Sequence, residues 1–262
     1  MKLGLRVGVG ALLSAMGVIG AVPGALAQTT GTGAQAAKPP QHAGEYWRAH
    51  DHQLAVDFGG LERYKAADAA LAPPAAGEKR VVFMGDSITD AWKIADPDGS
   101  FPGKPYVNRG ISGQTTPQML VRFRQDVIDL KPSVVVILAG TNDLAGNTGP
   151  VTLEQTEENL ASMADLATAN GIQVVLCSIL PAFDYPWSPG LEPAPKIATL
   201  NQWIRSYAAQ KGYIHVDYYS AMKDDRGGLP PVLSNDGVHP LSAGYAIMAP
   251  LVEAGIEQAL KK

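Results

Sequence analysis

Val134-Val135-Val136-Ile137-Leu138, followed at once by Ala139-Gly140-Thr141-Asn142-Asp143, decides the fold. The first five residues are apolar without a break and mostly β-branched. Such a strand has no face to give to water, so it belongs at the centre of a parallel sheet covered on both sides. Gly140 ends the run, and the polar residues behind it open a loop. Runs of the same kind lie on either side. Val81-Val82-Phe83-Met84 is closed by Gly85, Tyr106-Val107-Asn108 is a weaker strand, and residues 172–179 and 213–216 supply two more. Helical stretches separate them. One covers residues 116–130 and stops at Pro132. A second starts at the capping box Thr152-Leu153-Glu154-Gln155 and stops at Asn170-Gly171. A third covers residues 194–210 before Gly212, and the last covers residues 241–260. Strand alternating with helix predicts an α/β domain: a five-stranded parallel sheet with helices on both faces. Its ligand site is expected beyond the C-terminal ends of the strands.

Three polar blocks fall on that edge and a fourth precedes the last helix. They are Gly85-Asp86-Ser87-Ile88-Thr89, Asn108-Arg109-Gly110, Gly140-Thr141-Asn142-Asp143 and Asp236-Gly237-Val238-His239-Pro240. A serine hydroxyl attacks a carbonyl only when a neighbouring base takes its proton. Ser87, on a turn after the first strand, is the candidate nucleophile, although a serine there also suits a helix N-cap. His239 is the candidate base. Asp236, three residues earlier, can accept from its Nδ1–H, which fixes the tautomer and stabilises the imidazolium. Attack on an ester leaves a negative oxygen, for which three donors are expected: the N–H groups of Ser87 and Gly110 and the side-chain amide of Asn142. Gly and Asn are also ordinary turn residues, so the second and third blocks mean little without the first and fourth. The Gly-x-Ser-x-Gly elbow of another serine architecture is absent, because Thr89 stands two places after Ser87.

The remaining candidates have weaker cases. His50-Asp51-His52 lacks metal-ligand spacing and has no further ligand nearby, so no metal is expected. Cys177, the single cysteine, lies in an apolar strand and reads as core. The chain of 262 residues carries a net charge of −4 with 46% hydrophobic and 18% charged residues. That composition suits one folded domain and offers no basic footprint for nucleic acid.

The N-terminus has its own logic. Lys2 and Arg6 precede an apolar segment, Val7 to Val22, and the small residues of Ala25-Leu26-Ala27. This reads as a signal peptide, residues 1–27, cleaved before Gln28, with export to the periplasm or beyond. The apolar run is shorter than the ~20 residues of a membrane span. Residues 28–44, rich in Thr, Gly, Ala, Gln and Pro, read as a flexible leader. The domain is then expected over residues 45–262, beginning with a helical extension at 45–75 that breaks at Gly59-Gly60 and closes at Pro73-Pro74.

The four blocks together resemble the SGNH hydrolases, also called the GDSL lipase/esterase family, over residues 79–260. The Ser, Gly, Asn and His for which that family is named match Ser87, Gly110, Asn142 and His239, and its acid matches Asp236. The block Ser-Ile-Thr, in place of Ser-Leu, is similar to a bacterial acetylhydrolase-like branch. The resemblance implies a flavodoxin-like three-layer α/β/α sandwich, a covalent acyl-enzyme and no cofactor. It also implies ester substrates, from acylglycerols and lysophospholipids to acetylated sugars. The expected reaction is hydrolysis of short acyl esters on a sugar or lipid-like alcohol. Acyl transfer from the same acyl-enzyme, or a non-catalytic glycan-binding domain, are the alternatives. The segment Pro181-Ala182-Phe183-Asp184-Tyr185-Pro186-Trp187 follows the fourth strand. Phe183, Tyr185, Trp187 and, from the first loop, Trp92 are candidates for the substrate wall. No exposed amphipathic stretch suggests membrane docking, and oligomeric state is not readable.

Overall fold

A computed structural model describes residues 45–262. The signal peptide and leader expected at residues 1–44 lie outside the described residues. Two N-terminal helices, α1 (Glu45–Val56) and α2 (Glu62–Ala70), precede strand β1 (Val81–Gly85) and the short helix α3 (Ser87–Asp90). Then follow β2 (Tyr106–Gly110), α4 (Thr116–Asp126), β3 (Val134–Leu138), α5 (Thr141–Ala145), α6 (Leu153–Ala169) and β4 (Gln173–Cys177). The chain closes with α7 (Ala194–Lys211), β5 (Ile214–Val216), α8 (Tyr218–Met222) and α9 (Ser242–Ala259). All strand pairs are parallel, in the order β2-β1-β3-β4-β5. This is the expected five-stranded α/β/α sandwich.

The side chains of β3 show why both faces are covered. Successive residues of a strand point to opposite sides. Val135 and Ile137 pack with Met119 and Phe123 of α4, Leu160 of α6 and Leu200 of α7. Val134, Val136 and Leu138 pack with Met248, Val252 and Ile256 of α9 and Tyr218 of α8. Every residue of β3 is therefore buried. Cys177 belongs to the second cluster, and burial pushes its thiol up to about 12, against the usual range of a reactive thiolate.

Strand order reverses between β1 and β3, since β2 lies outside β1 and β4 outside β3. A crevice opens at such a switch point beyond the strand ends. Ser87 follows β1 and Asn142 follows β3, so the topology delivers both to that crevice. Helices α3, α5 and α8 were not anticipated. Each is one turn or so after a strand or capping residue, too short for an amphipathic period to register. The helix expected over residues 116–130 ends at Asp126, and a 3₁₀ turn at Ile128–Leu130 follows.

The N-terminal extension is tied to the sheet edge by specific bonds. Gln114, Gln118 and Gln125 donate side-chain N–H to the carbonyls of Gly59, Phe58 and Leu61, each at 2.8 Å. Arg109 meets Asp68 of α2 at 2.6 Å, both nearly buried. Buried Arg122 of α4 donates to Gly85 O at 3.0 Å, Arg109 O at 2.8 Å and Gln114 Oε1 at 2.5 Å. One guanidinium thus holds the ends of β1 and β2 and the loop after β2, with Asp126 balancing its charge at 2.8 Å.

Candidate active site

Gly85 and Asp86 set the position of Ser87. A Cβ on Gly85 would stand 2.1 Å from Thr89 Oγ1, so the turn from β1 into α3 closes only around glycine. Asp86 caps α3 by accepting from the Ile88 N–H at 2.9 Å. Burial pushes the Asp86 carboxyl up to about 6, against the lowering influence of that N–H and of His239. Ser87 starts α3, and its Oγ lies 2.9 Å from His239 Nε2.

His239 is held from behind by a compact loop. Its Nδ1 lies 2.6 Å from Asp236 Oδ2. Asp236 Oδ1 accepts from the N–H groups of Val238 at 2.9 Å and His239 at 2.8 Å, and from Ser234 Oγ at 3.0 Å. Gly237, at φ 80°, makes the turn that lets the carboxylate face back onto its own loop. Partial burial would raise the Asp236 pKa, but the bond to the His239 ring and the two N–H donors prevail and bring it down to about 2. Asp236 is therefore ionised through the neutral range, an acceptor for Nδ1–H.

Facing this pair is a buried amide chain. The Trp187 indole N–H donates to Asn147 Oδ1 at 3.1 Å. Asn147 Nδ2 donates to Asn142 Oδ1 at 2.9 Å and to Gly113 O at 3.1 Å. With Oδ1 so occupied, the Asn142 amide nitrogen points the other way and donates to Gln114 O at 3.0 Å. An amide nitrogen carries two hydrogens, so one remains for a ligand. Among the described residues, the N–H groups of Ser87 and Gly113 have no protein partner. Ser87, Ser112, Gly113, Asn142, Asn147, Trp187 and His239 line one cavity of about 380 Å³.

Gly110 does not line that cavity, which corrects the sequence expectation. Its N–H donates to Asn108 Oδ1 at 2.8 Å, and its carbonyl accepts from Tyr64 OH. A Cβ there would stand 2.1 Å from the Asp90 N, so Gly110 permits β2 to lie against α3. Strand β2 runs two residues beyond Asn108, and the loop glycine on the crevice side is Gly113, at φ 81°.

Residues 83–247 match the GDSL-like Lipase/Acylhydrolase family. The chain belongs to that family. The fold is similar to that of a GDSL-like lipase from Bacteroides thetaiotaomicron, with a TM-score of 0.74 and 48% identity over 78% of this chain and 100% of the other. The chain is 30% identical over 206 residues to an acetylxylan esterase of Geobacillus stearothermophilus, 66% of this chain and 91% of that one. It is 31% identical over 180 residues to esterase TesA of Pseudomonas aeruginosa, 64% of this chain and 83% of that one. It is a carboxylic ester hydrolase.

Of the four aromatic residues expected at this hydrolase's substrate wall, the structure brings one to the cavity. Trp187 lines it, with its ring 6.0 Å from the His239 ring. Tyr185 is fully buried and stacks behind Trp187 at 5.2 Å, so it backs the wall without forming it. Phe183 is half exposed outside the cavity, beneath the Arg226 guanidinium at 5.0 Å. Trp92 is buried among Phe83, Phe101 and Tyr245, with its N–H on Ser100 Oγ at 2.8 Å, and anchors the loop after α3. The corrections at Tyr185 and Trp92 share a cause: an aromatic near a strand end gains more from burial than from lining a wet cleft. Gly113 and Asn147 were missed. For Gly113 a signal existed, since it stands in the loop just ahead of the Thr115–Gln118 capping box. Asn147, behind Gly146, reads only as a turn residue.

Proposed function

We propose that Ser87 is the nucleophile of a two-step ester hydrolysis. His239 Nε2 takes the Ser87 proton as Oγ attacks the ester carbonyl. Asp236 holds Nδ1–H and stabilises the imidazolium that forms. The oxyanion is received by the N–H groups of Ser87 and Gly113 and the free hydrogen of the Asn142 amide. His239 then returns the proton to the departing alcohol. In the second step it draws a proton from water, which attacks the acyl-enzyme and releases the acid. No cofactor enters this scheme.

One observation carries the reading: Oγ, imidazole and carboxylate stand in line at 2.9 Å and 2.6 Å, on the rim of a cavity with three unused N–H hydrogens. The cavity of about 380 Å³ is lined by Trp187 and Asn147 beside the reacting groups, a size that suits a short acyl group. The acetylxylan esterase relatives support acetyl groups on a sugar as the substrate class. Ser87→Ala is expected to lower kcat on p-nitrophenyl acetate by about 10⁶. Wild-type turnover by that variant would sink the reading.

The protein is also proposed to be exported. The charged, apolar and small-residue order of residues 1–27 supports cleavage before Gln28. N-terminal sequencing of the protein recovered from periplasm or medium tests this; a chain starting at Met1 there would contradict it.

A further inference from the structure

A second cavity, of about 370 Å³, lies beside the first, between the N-terminal helices and the loop after β2. The two share Ser112 and Gly113, so that loop is the boundary at which they adjoin. The far side is built by His50, Gln53 and Phe58 from α1 and the turn after it, and by Arg63 of α2.

This wall is fixed. Gln114 and Gln118 grip the carbonyls of Gly59 and Phe58 at 2.8 Å. Asp57 accepts from the N–H groups of Leu61 at 2.9 Å and Glu62 at 3.0 Å, closing the turn between α1 and α2. Across the gap, the Ser112 hydroxyl and N–H both donate to Asp90 Oδ2, at 2.7 Å and 3.2 Å. Asp90 also faces Arg63 at 3.5 Å. The helical extension is therefore built into the edge of the crevice.

The lining tells what fits. An imidazole, an amide, a guanidinium, a hydroxyl and the carboxylates of Asp57 and Glu62 mix donors with acceptors, as alcohol hydroxyls require, because each hydroxyl both gives and takes a hydrogen bond. Phe58, 40% exposed, offers a ring face for the C–H side of a sugar. An alkyl chain would make no hydrogen bond to any of these groups. Arg63 is already opposed by Asp90, so the cavity has no surplus positive charge for an anionic group.

We propose that this cavity binds a glycosyl unit next to the acylated one, so that the substrate is an acylated oligosaccharide lying across Ser112 and Gly113. The proposal rests on the ester-hydrolase reading above and names its alcohol part. It gives the N-terminal helices a role in specificity.

The test compares monoacetylated xylotriose, monoacetylated xylose and p-nitrophenyl acetate as substrates of the wild type and of Phe58→Ala and Gln53→Ala. Both side chains lie at the surface of the extension, and a thermal melt verifies folding. The wild type is expected to prefer the trisaccharide ester over the monosaccharide ester by about tenfold in kcat/KM, the equivalent of one good contact. Each variant is expected to bring that ratio close to one. A wild-type ratio near one overturns the subsite, and so do variants that lose rate on all three substrates in equal proportion. A preference for p-nitrophenyl octanoate over acetate that disappears in the same variants would assign the cavity to an acyl tail and also overturn it. Failure of the underlying reading looks different: Ser87→Ala would keep activity, or a fluorophosphonate would not label Ser87.

Discussion

The two sides of the catalytic cavity are built in opposite ways. On one side His239 and Asp236 stand three residues apart in a half-exposed loop, and every bond that holds the carboxylate comes from residues 234–239. On the other side Asn142 is almost fully buried, and its orientation depends on Asn147, Gly113, Gln114 and Trp187, drawn from the segments after β2, β3 and β4. The first side is a local motif; the second is a tertiary assembly. A proton-transfer pair needs a short, stiff loop. An oxyanion site needs donors whose own bonds already hold them, so that little reorganisation accompanies reaction.

The carboxylates beside Ser87 and behind His239 differ as well. Buried Asp86 is raised to about 6, while Asp236, with three N–H or O–H donors and the imidazole, falls to about 2. Burial outweighs one N–H bond at Asp86; hydrogen bonding outweighs partial burial at Asp236.

Substitutions sharpen the division, beginning with the largest effect. Asp236→Asn should lower kcat by about 10⁴, because an amide no longer holds the productive His239 tautomer. A loss smaller than that of Asn147→Ala would break the contrast between the sides. Asn142→Ala should cost about 10²–10³ in kcat by removing one oxyanion donor. Asn147 touches the cavity chiefly through what it holds, so Asn147→Ala should lower kcat by about tenfold, equivalent to one modest hydrogen bond. KM should stay nearly constant, as expected for a loss confined to the transition state. A change in KM alone would make Asn147 a substrate contact, not a strut.

A further effect is on stability and leaves the reaction aside. Between pH 3.8 and about 6 the folded chain keeps a proton on Asp86 that the unfolded chain has lost. Stability from this group is thus present at the acid end and lost as pH rises to 6. The wild type should lose up to about 3 kcal/mol relative to Asp86→Asn across that window, at roughly 1.4 kcal/mol per unit. Asp236 has the other sign: its contribution is present above 3.8 and lost as pH falls towards about 2. Chemical denaturation of the wild type and both Asn variants at pH 2 to 7 checks both slopes. Parallel curves for the wild type and Asp86→Asn would contradict the burial account.

Much of this was legible beforehand. The apolar runs located all five strands, the inner ones most clearly because a strand covered on both faces carries few polar residues; the edge strands β2 and β5 include Asn108, Arg109 and His215 and read more weakly. Ser87, His239 and Asn142 line one cavity, and Asp236 stands behind His239. Gly110 was misplaced because a glycine that permits close packing and a glycine that frees a donor look alike in sequence. Phe183 and Tyr185 were misjudged for a related reason. In an irregular segment no period tells which ring faces in.

What the amino-acid order settled by itself is whatever depends on neighbours along the chain: strand against helix, the caps, and the three-residue spacing that lets a carboxylate reach an imidazole. What only tertiary structure decided is which N–H groups are left over. A donor is available to an oxyanion when nothing else in the fold has taken it, and that depends on contacts such as Asn147 with Gly113, or Asn108 Nδ2 with the carbonyls of Thr89 and Trp92, which leave Asn108 Oδ1 for the Gly110 N–H. Those contacts form only when the ends of β1, β2 and β3 are brought together.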